Sequence, residues 1–483
     1  MLDIRPVGYV IGLLVATLGL TMLGPLVADL SAGNGHWPVF LESSVITVMT
    51  GCLVALACSN GVRSGGLTLR QTFLLTSLVW VTLPTFGALP FMLGASNSSV
   101  TDAFFEAMSG ITTTGSTVLT GIEDLPQGLL LWRGILQWLG GIGIIVMAMV
   151  FLPELKVGGM QVFRSEAFET MGKILPRAAE IASNISVIYV SLTVACALAY
   201  VASGMTPFDA AVHAMTTLST GGFANSDASF GAYGAGAHYV GTVFMFLAAC
   251  PFVRYVQLLA GDARPLWRDS QVRAFVVVIA ICVVAVSLSL ARNIHGFNEI
   301  AFRESLFNVV SIMSGTGYAS ADYMTWGPFC VTMFFFIGLI GGCAGSTACS
   351  VKIFRYQILF ASIRSQISQL HSPHGVFEPR YDGRKVGEDV LNSVMAFFVV
   401  FIVSVGIVSV LLSLTGLDFI TSVSGAATAL ANVGPGLGLE IGPAGNFAGL
   451  NDVAKWILSV AMFVGRLEMM VVLVLVTARF WRA

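Results

Sequence analysis

Four short strings rich in Thr, Ser and Gly recur along this chain, and each is followed by a long apolar stretch. They read Ile111-Thr112-Thr113-Thr114-Gly115, Leu218-Ser219-Thr220-Gly221-Gly222, Met313-Ser314-Gly315-Thr316-Gly317 and Leu430-Ala431-Asn432-Val433-Gly434. Their last glycines lie 107, 95 and 117 residues apart, the separation that a pair of membrane-crossing helices with loops requires. One such string carries little information. Four in the same setting point to four quarters of one pore, in which backbone carbonyls replace the water around a cation. The competing reading is close helix packing through small residues, which does not call for four equivalent strings after short apolar segments.

The composition agrees with a membrane setting. Of the 483 residues, 56% are hydrophobic and 10% charged, against about 25% charged in a soluble domain. An all-α polytopic membrane protein with about ten spans is expected. The first apolar stretch, residues 7–27, reads as a retained span and not a cleaved signal. The eight cysteines lie in or beside apolar runs, with neither a disulfide framework nor CxxC spacing.

The charge distribution orients the chain. Segments 1–6, 61–71, 153–182, 262–273, 351–390 and 479–483 hold 18 Lys and Arg, whereas the opposite segments hold four: Arg133, Arg292, Arg303 and Lys455. Basic residues collect on the cytoplasmic side, so both termini are expected there. The outer segments carry 14 acids, ten more than their bases, including Asp102, Asp209, Asp227, Glu304 and Asp322. Such a face concentrates cations at a mouth.

Two apolar segments, 7–28 and 39–59, precede four units with the same order: outgoing span, short re-entrant segment, glycine string, returning span. The units run over 70–153, 183–262, 272–360 and 388–480, as diverged repeats with drifting loops. With their linkers the chain divides into 1–69, 70–182, 183–271, 272–387 and 388–483. Linkers 153–182 and 361–388 are too short to be domains, and His371-Ser372-Pro373-His374-Gly375 is poor helix material.

The re-entrant reading rests on length. Asp102, Asp209 and Glu304 each stand 13 residues before their glycine, and Thr421, with Asp418 nearby, takes that place in the fourth unit. About ten helical residues would span roughly 15 Å, half of a hydrocarbon core about 30 Å thick. The acids would then sit at helix N-termini, where the dipole favours negative charge, with capping a commoner role than ion binding. The opposite ends would present partial negative charge to a cation at mid-membrane.

The stretches TTTGST, STGGFAN, SGTGYAS and NVGPGLG resemble the four filter sequences of the Trk/Ktr/HKT superfamily of potassium transporters, and its bacterial TrkH branch above the others, over nearly the whole chain. The resemblance implies a channel-like K⁺ pore formed within one chain. Its filter would comprise Thr113, Thr114, Gly115, Thr220, Gly221, Gly222, Gly315, Thr316, Gly317, Asn432, Val433 and Gly434. It further implies an intramembrane gating loop at Gly341, Gly342, Gly345, Ser346 and Thr347, and a pore-facing arginine at Arg466. The assembly it implies is a homodimer in the bacterial inner membrane, controlled by a cytoplasmic TrkA-type ring. A nucleotide (ATP/ADP or NAD) would act only through that ring. K⁺ is the implied transported ion, with no covalently bound cofactor and no nucleic-acid partner. In this superfamily Ser at the first filter glycine accompanies Na⁺ transport, so Gly at all four positions favours K⁺.

The residues support a parallel physical reading. Glycine takes φ > 0 without a Cβ penalty, so successive carbonyls can be aimed at an axis. Gly338, Gly341, Gly342 and Gly345 fall within eight residues, and each weakens a helix by about 1 kcal/mol relative to Ala. A break below the filter is expected, with a small-xxx-small helix contact as the alternative. Arg466 is expected near the centre of a span over 453–480, where it costs about 2.5 kcal/mol or more and must face water or a partner. Glu468, two residues on, does not share its helix face. Arg254 follows Gly222 by 32 residues, as Arg466 follows Gly434, but loop lengths differ between the units, and snorkelling to the cytoplasmic surface is the favoured explanation. Gly140-Gly141-Ile142-Gly143 lacks the strand–turn–helix setting of a dinucleotide fingerprint, and no nucleophile–base pair suggests an enzyme. A K⁺/H⁺ or K⁺/Na⁺ coupled carrier is the alternative function; it needs a buried carboxylate, for which Glu468 is the candidate.

Overall fold

The structure is a computed structural model in which residues 3–61, 67–147, 159–160, 178–292, 296 and 298–482 are described. The expected end of the first unit near 153 and most of linker 153–182 lie outside these residues. Two N-terminal helices, Arg5–Ala32 (with a turn at Met22) and Trp37–Cys58, form a hairpin. Glycines let their backbones touch: a Cβ on Gly12 would lie 2.5 Å from the Ala55 nitrogen and 2.7 Å from the Gly51 carbonyl oxygen. The Ser44 hydroxyl donates to the Gly19 carbonyl across the same seam at 2.7 Å. Small residues and interhelical hydrogen bonds associate helices where hydrophobic attraction is absent.

Four helix–pore helix–loop–helix units follow around one central axis. Their outgoing spans are Leu69–Leu93, with its helix interrupted at Ala88, then Ala178–Ala202, Ser270–Leu290 and Glu388–Ser413. Their pore helices are Val100–Ile111, Pro207–Leu218, Glu299–Ser314 and Phe419–Ala431. These contain 12, 12, 16 and 13 residues, somewhat more than expected. At about 1.5 Å per residue they still fall short of a membrane crossing.

The pore helices start alike. Ser99 and Thr206 cap the first two through Asp102 N and Asp209 N, and both hydroxyls donate back to the aspartate carboxylates at 2.9 and 2.8 Å. Asn298 caps the third and Asp418 the fourth. Side-chain acceptors thus satisfy the orphan N–H groups, and the acids in the first turn suit the dipole. Glu304 is the exception to the expectation: the third helix begins earlier, at Glu299, so Glu304 lies inside it and not in its first turn.

The return segments depart further from the sequence reading. The first, Gln127–Val146, is continuous as described. The second bends by 91° between Ala235–Ala248 and Phe252–Leu259, where Pro251 lacks the N–H to continue the helix. The third ends at Gly338, runs non-helical through 339–352 and resumes as Ile353–His371. The fourth bends by 109° between Asp452–Arg466 and Met470–Val476. The expected span over 453–480 is therefore broken at Arg466, and Glu468 and Met469 take positive φ of 57° and 49° there. Among the described residues, seven helices are long and apolar enough to cross a membrane, and nine if each bent pair counts as one. The expected ten is reached only by adding Pro328–Gly338 with its broken continuation. In linker 361–388 a short hairpin pairs Arg380–Tyr381 with Arg384–Lys385.

Gly51→Leu should separate the N-terminal hairpin, because its Cβ site is filled by backbone of Ala16 and Gly12. The expected result is a lower thermal midpoint of the purified protein by fluorescence. Gly406→Leu, with open space around its Cβ, should leave the midpoint unchanged.

Candidate functional site: a closed ring of four backbone strings

Each string leaves its pore helix by the same two backbone bonds. Thr113, Thr220, Gly315 and Asn432 donate three residues back, to the carbonyls of Gly110, Thr217, Ile312 and Ala429. Thr114, Gly221, Thr316 and Val433 donate five residues back, to Ser109, Thr216, Ser311 and Thr428. The backbone then alternates. φ is positive at 113 and 115 (51° and 88°), 220 and 222 (50° and 82°), 315 and 317 (79° and 83°), and 432 and 434 (52° and 109°). Each intervening residue has negative φ. Such alternation turns successive carbonyls toward one side of the chain, which a uniform helix or strand cannot do.

The strings meet around a circle. A Cβ on Gly115 would overlap the Gly221 carbonyl oxygen, one on Gly222 the Thr316 oxygen, and one on Gly317 the Val433 oxygen. A Cβ on Gly434 would lie 2.8 Å from the Thr114 oxygen and so closes the ring in chain order. The four aligned glycines also line one cavity of about 230 Å³, together with Asp227 and Asn446. All twelve filter residues expected from the sequence fall in this ring. The second left-handed position of each string was not anticipated, because only the third unit uses glycine there; Thr113, Thr220 and Asn432 hold it in the others.

Side chains brace the ring from outside. Arg133 and Glu106 are buried and paired at 2.9 Å. Glu106 also accepts from Thr117 Oγ1 and from Val118 N, both at 3.0 Å, while Arg133 donates to the Ala224 carbonyl at 2.7 Å. One ion pair therefore ties the first pore helix to the tails of strings 1 and 2. Arg133 is accordingly not a solvated outer charge as its segment suggested. Lys455, likewise buried, pairs with Asp102 at 2.6 Å. Asp227 acts as a clasp, accepting from Gly121 N at 2.8 Å and donating its own N–H to Glu123 at 2.8 Å. A hydrogen bond from Ser226 holds the Glu123 carboxyl below the usual carboxylate range.

A cation-transport protein model, TrkH, matches residues 36–482. The chain belongs to the TrkH family. It is similar to the Trk system potassium uptake protein TrkI of Halomonas elongata, 49% identical over 85% of this chain and 84% of that one. It is also similar to TrkH of Escherichia coli K12, 37% identical over 99% of both chains. The crystal structure of the potassium transporter TrkH from Vibrio parahaemolyticus superposes with a TM-score of 0.90 at 34% identity, over 100% of both chains. The chain is thus a multi-pass membrane transport protein and not an enzyme.

Beneath the ring, this TrkH-family chain places the non-helical segment 339–352. Cys343 N and Thr347 N donate to the Ala249 and Ala248 carbonyls at the second bend, at 3.0 and 3.3 Å. Ser350 N donates to Ala431 at the end of the fourth pore helix, at 3.0 Å. Gly341 and Gly345 take φ of 78° and 73°, and Gly342 faces Ala249 and Ala348 so closely that a Cβ would lie 2.6 Å from the latter. Ser346 and Thr347 are buried. Being non-helical, the segment does not form the small-xxx-small helix contact. Arg466 is buried against it: its Nη1 donates to Cys349 Sγ, its Nη2 reaches the Gly140 carbonyl at 3.4 Å, and Trp80 stacks at 5.5 Å. Cys349 Sγ in turn lies 3.9 Å from Thr113 Oγ1 at the underside of string 1.

Glu468 pairs not with Arg466 but with Lys352, at 3.2 Å, and with Arg355. Lys352 and Arg355 were expected in the cytoplasm and are buried instead, because the third return helix resumes within the protein. Arg254 pairs with Asp269, in the segment expected on the cytoplasmic side, at 2.7 Å.

Arg133→Met should leave Glu106 buried and unpaired, which costs about 3–5 kcal/mol. The expected result is a strongly lowered thermal midpoint, partly restored by adding Glu106→Leu; full stability of the single variant would contradict the bracing role.

Proposed function

We propose that this protein takes up K⁺ across the bacterial inner membrane through a channel-like filter that is gated from the cytoplasm. The observation that carries this reading is the closed ring of left-handed glycines. Irregular backbone is tolerated at membrane depth only where it is buried or lines a water-filled path, and a ring of carbonyls can replace the hydration shell of a monovalent cation. Residues 113–115, 220–222, 315–317 and 432–434 hold the ion. The relatives named as Trk potassium uptake proteins support K⁺ as the ion. Segment 339–352, with Gly341, Gly342, Gly345, Ser346 and Thr347, and Arg466 beside it, is the gate.

The rest of the assembly is a proposal of the same kind: both termini cytoplasmic, two copies per complex, and a TrkA-type ring through which a nucleotide acts. A coupled carrier would use a buried carboxylate that titrates. Glu468, the candidate for it, is already held by Lys352 and Arg355. Single-channel recording in a planar bilayer decides between the two. Unitary K⁺ currents far above about 10³ ions per second exceed ordinary turnover, whereas their absence alongside K⁺ uptake would favour the carrier.

Gly115→Ser should reduce K⁺ over Na⁺ preference about tenfold or more, because left-handed backbone costs a residue with a Cβ about 1–2 kcal/mol and that Cβ would press on the Gly221 carbonyl. Competition of Na⁺ with radioactive Rb⁺ uptake measures it, and unchanged discrimination would refute the filter assignment of string 1.

Arg466→Ala should raise K⁺ flux. At an effective dielectric of about 20, unit charges about 8 Å apart repel by roughly 2 kcal/mol, a ceiling of about thirtyfold in rate. Uptake per folded protein at or below that of the unsubstituted chain would show that Arg466 serves packing alone.

A further inference from the structure

The ring is unequal in how its oxygens are held. Of the four carbonyls that fill the Cβ sites of neighbouring glycines, those of Thr114, Thr316 and Val433 accept no side-chain hydrogen bond among the described residues. The fourth, Gly221, accepts from Gln137 Nε2 at 2.6 Å. Gln137 belongs to the first return helix, yet it serves the string of the second unit. Its other amide atom, Oε1, accepts from Phe223 N at 3.1 Å. One buried amide therefore spans both sides of Gly222, which has φ of 82° and is itself pressed against the third string. The fit is close: a Cβ on Gly221 would overlap the Gln137 amide.

Two features make this contact more than packing. An amide offers one donor and one acceptor side, and here each meets the matching backbone group, so its orientation is fixed. The bonded oxygen is also the one that touches Gly115, so the amide sits at the seam between strings 1 and 2.

We propose that Gln137 is a specificity-determining positioning residue, whose amide pins the Gly221 carbonyl at the seam of strings 1 and 2 and keeps the ring from contracting onto Na⁺. The inference rests on the filter reading above. Na⁺ is the smaller ion, and oxygens can surround it closely only by moving inward. A carbonyl bonded to a buried, immobile amide cannot follow without breaking that bond. With the bond gone, the seam can close around Na⁺, and its entry becomes easier while K⁺ passage continues.

The test uses the full-length protein in liposomes and reads Rb⁺ uptake, Na⁺ inhibition of that uptake, and direct Na⁺ flux. Gln137→Met keeps the length and removes both bonds. Gln137→Glu keeps an acceptor for Phe223 N and loses the donor to Gly221 only in its ionised form, because burial favours the protonated acid, so its discrimination is measured at alkaline pH. Both variants should retain Rb⁺ uptake within a few-fold of the unsubstituted protein and lose about tenfold in discrimination against Na⁺, the ratio expected when one hydrogen bond is lost. Reduced uptake of both ions in equal proportion, or unchanged discrimination in either folded variant, would overturn the proposal. Should Gln137→Met fail to fold, Gln137→Glu alone separates the same two outcomes. Absence of K⁺-selective uptake in the unsubstituted protein would instead overturn the filter reading on which the inference stands.

Discussion

The architecture depends on a backbone contact that leaves no room for a side chain. At each of four seams, a carbonyl oxygen of one string occupies the place where a Cβ on the aligned glycine of its neighbour would lie. Four strings can approach so closely only if those residues are glycine, and only if their backbone turns left-handed there. The cost is irregular backbone deep in the protein, which must be satisfied locally. The repeated bonds from Thr114, Gly221, Thr316 and Val433 back into their pore helices provide this. The pore helices, capped at their outer ends, aim their partially negative C-termini toward the same region.

Four unlike strings need unlike supports. String 1 is tied to string 4 through Asn432 Nδ2 to Thr114 Oγ1 at 2.9 Å and Ser116 Oγ to the Gly434 carbonyl at 2.8 Å. String 3 is tied inward by Ser311 Oγ to the Tyr318 carbonyl at 2.7 Å. String 2 is held by a residue of the preceding unit. A symmetric assembly of identical chains would repeat one brace four times. Here the repeats have diverged, and the braces differ from string to string.

The sequence made the ring legible because glycine is the one residue that the seams tolerate, and Gly115, Gly222, Gly317 and Gly434 align across the four units. The re-entrant helices were legible from length and the third break from glycine density. The other left-handed positions were hidden, since Thr113 and Thr220 are β-branched residues that rarely adopt φ > 0 and are held there by tertiary context. Pro251 was a readable signal for the second bend, whereas the fourth bend has no comparable mark. The Arg133–Glu106 and Lys352–Arg355–Glu468 pairings were not readable, because each joins residues of different helices whose proximity exists only after folding. Lys352 and Arg355 were misplaced for the same reason: basic residues near a span end read as cytoplasmic until a broken helix draws them inside.

Buried charged side chains cluster beneath the ring. Among the described residues, Lys352, Arg355 and Arg466 are buried there near one carboxylate, Glu468. Burying charged groups costs free energy unless they are paired, and such groups at membrane depth usually serve function. Three of them sit at breaks: Lys352 ends segment 339–352 with φ of 72°, and Arg466 and Glu468 lie at the bend of the fourth return segment, whereas Arg355 stands in the first turn of the resumed helix. Glu468 links that bend to Lys352, and Arg466 links it to Cys349, so the segment is held to the bend at two points. Moving the segment alone would take Lys352 from Glu468, which keeps Arg355, and Cys349 from Arg466, in a poorly solvated interior where lost partners are costly. Segment 339–352 of the third unit and the bend of the fourth are thus joined beneath the ring by an ion pair and a guanidinium–thiol contact.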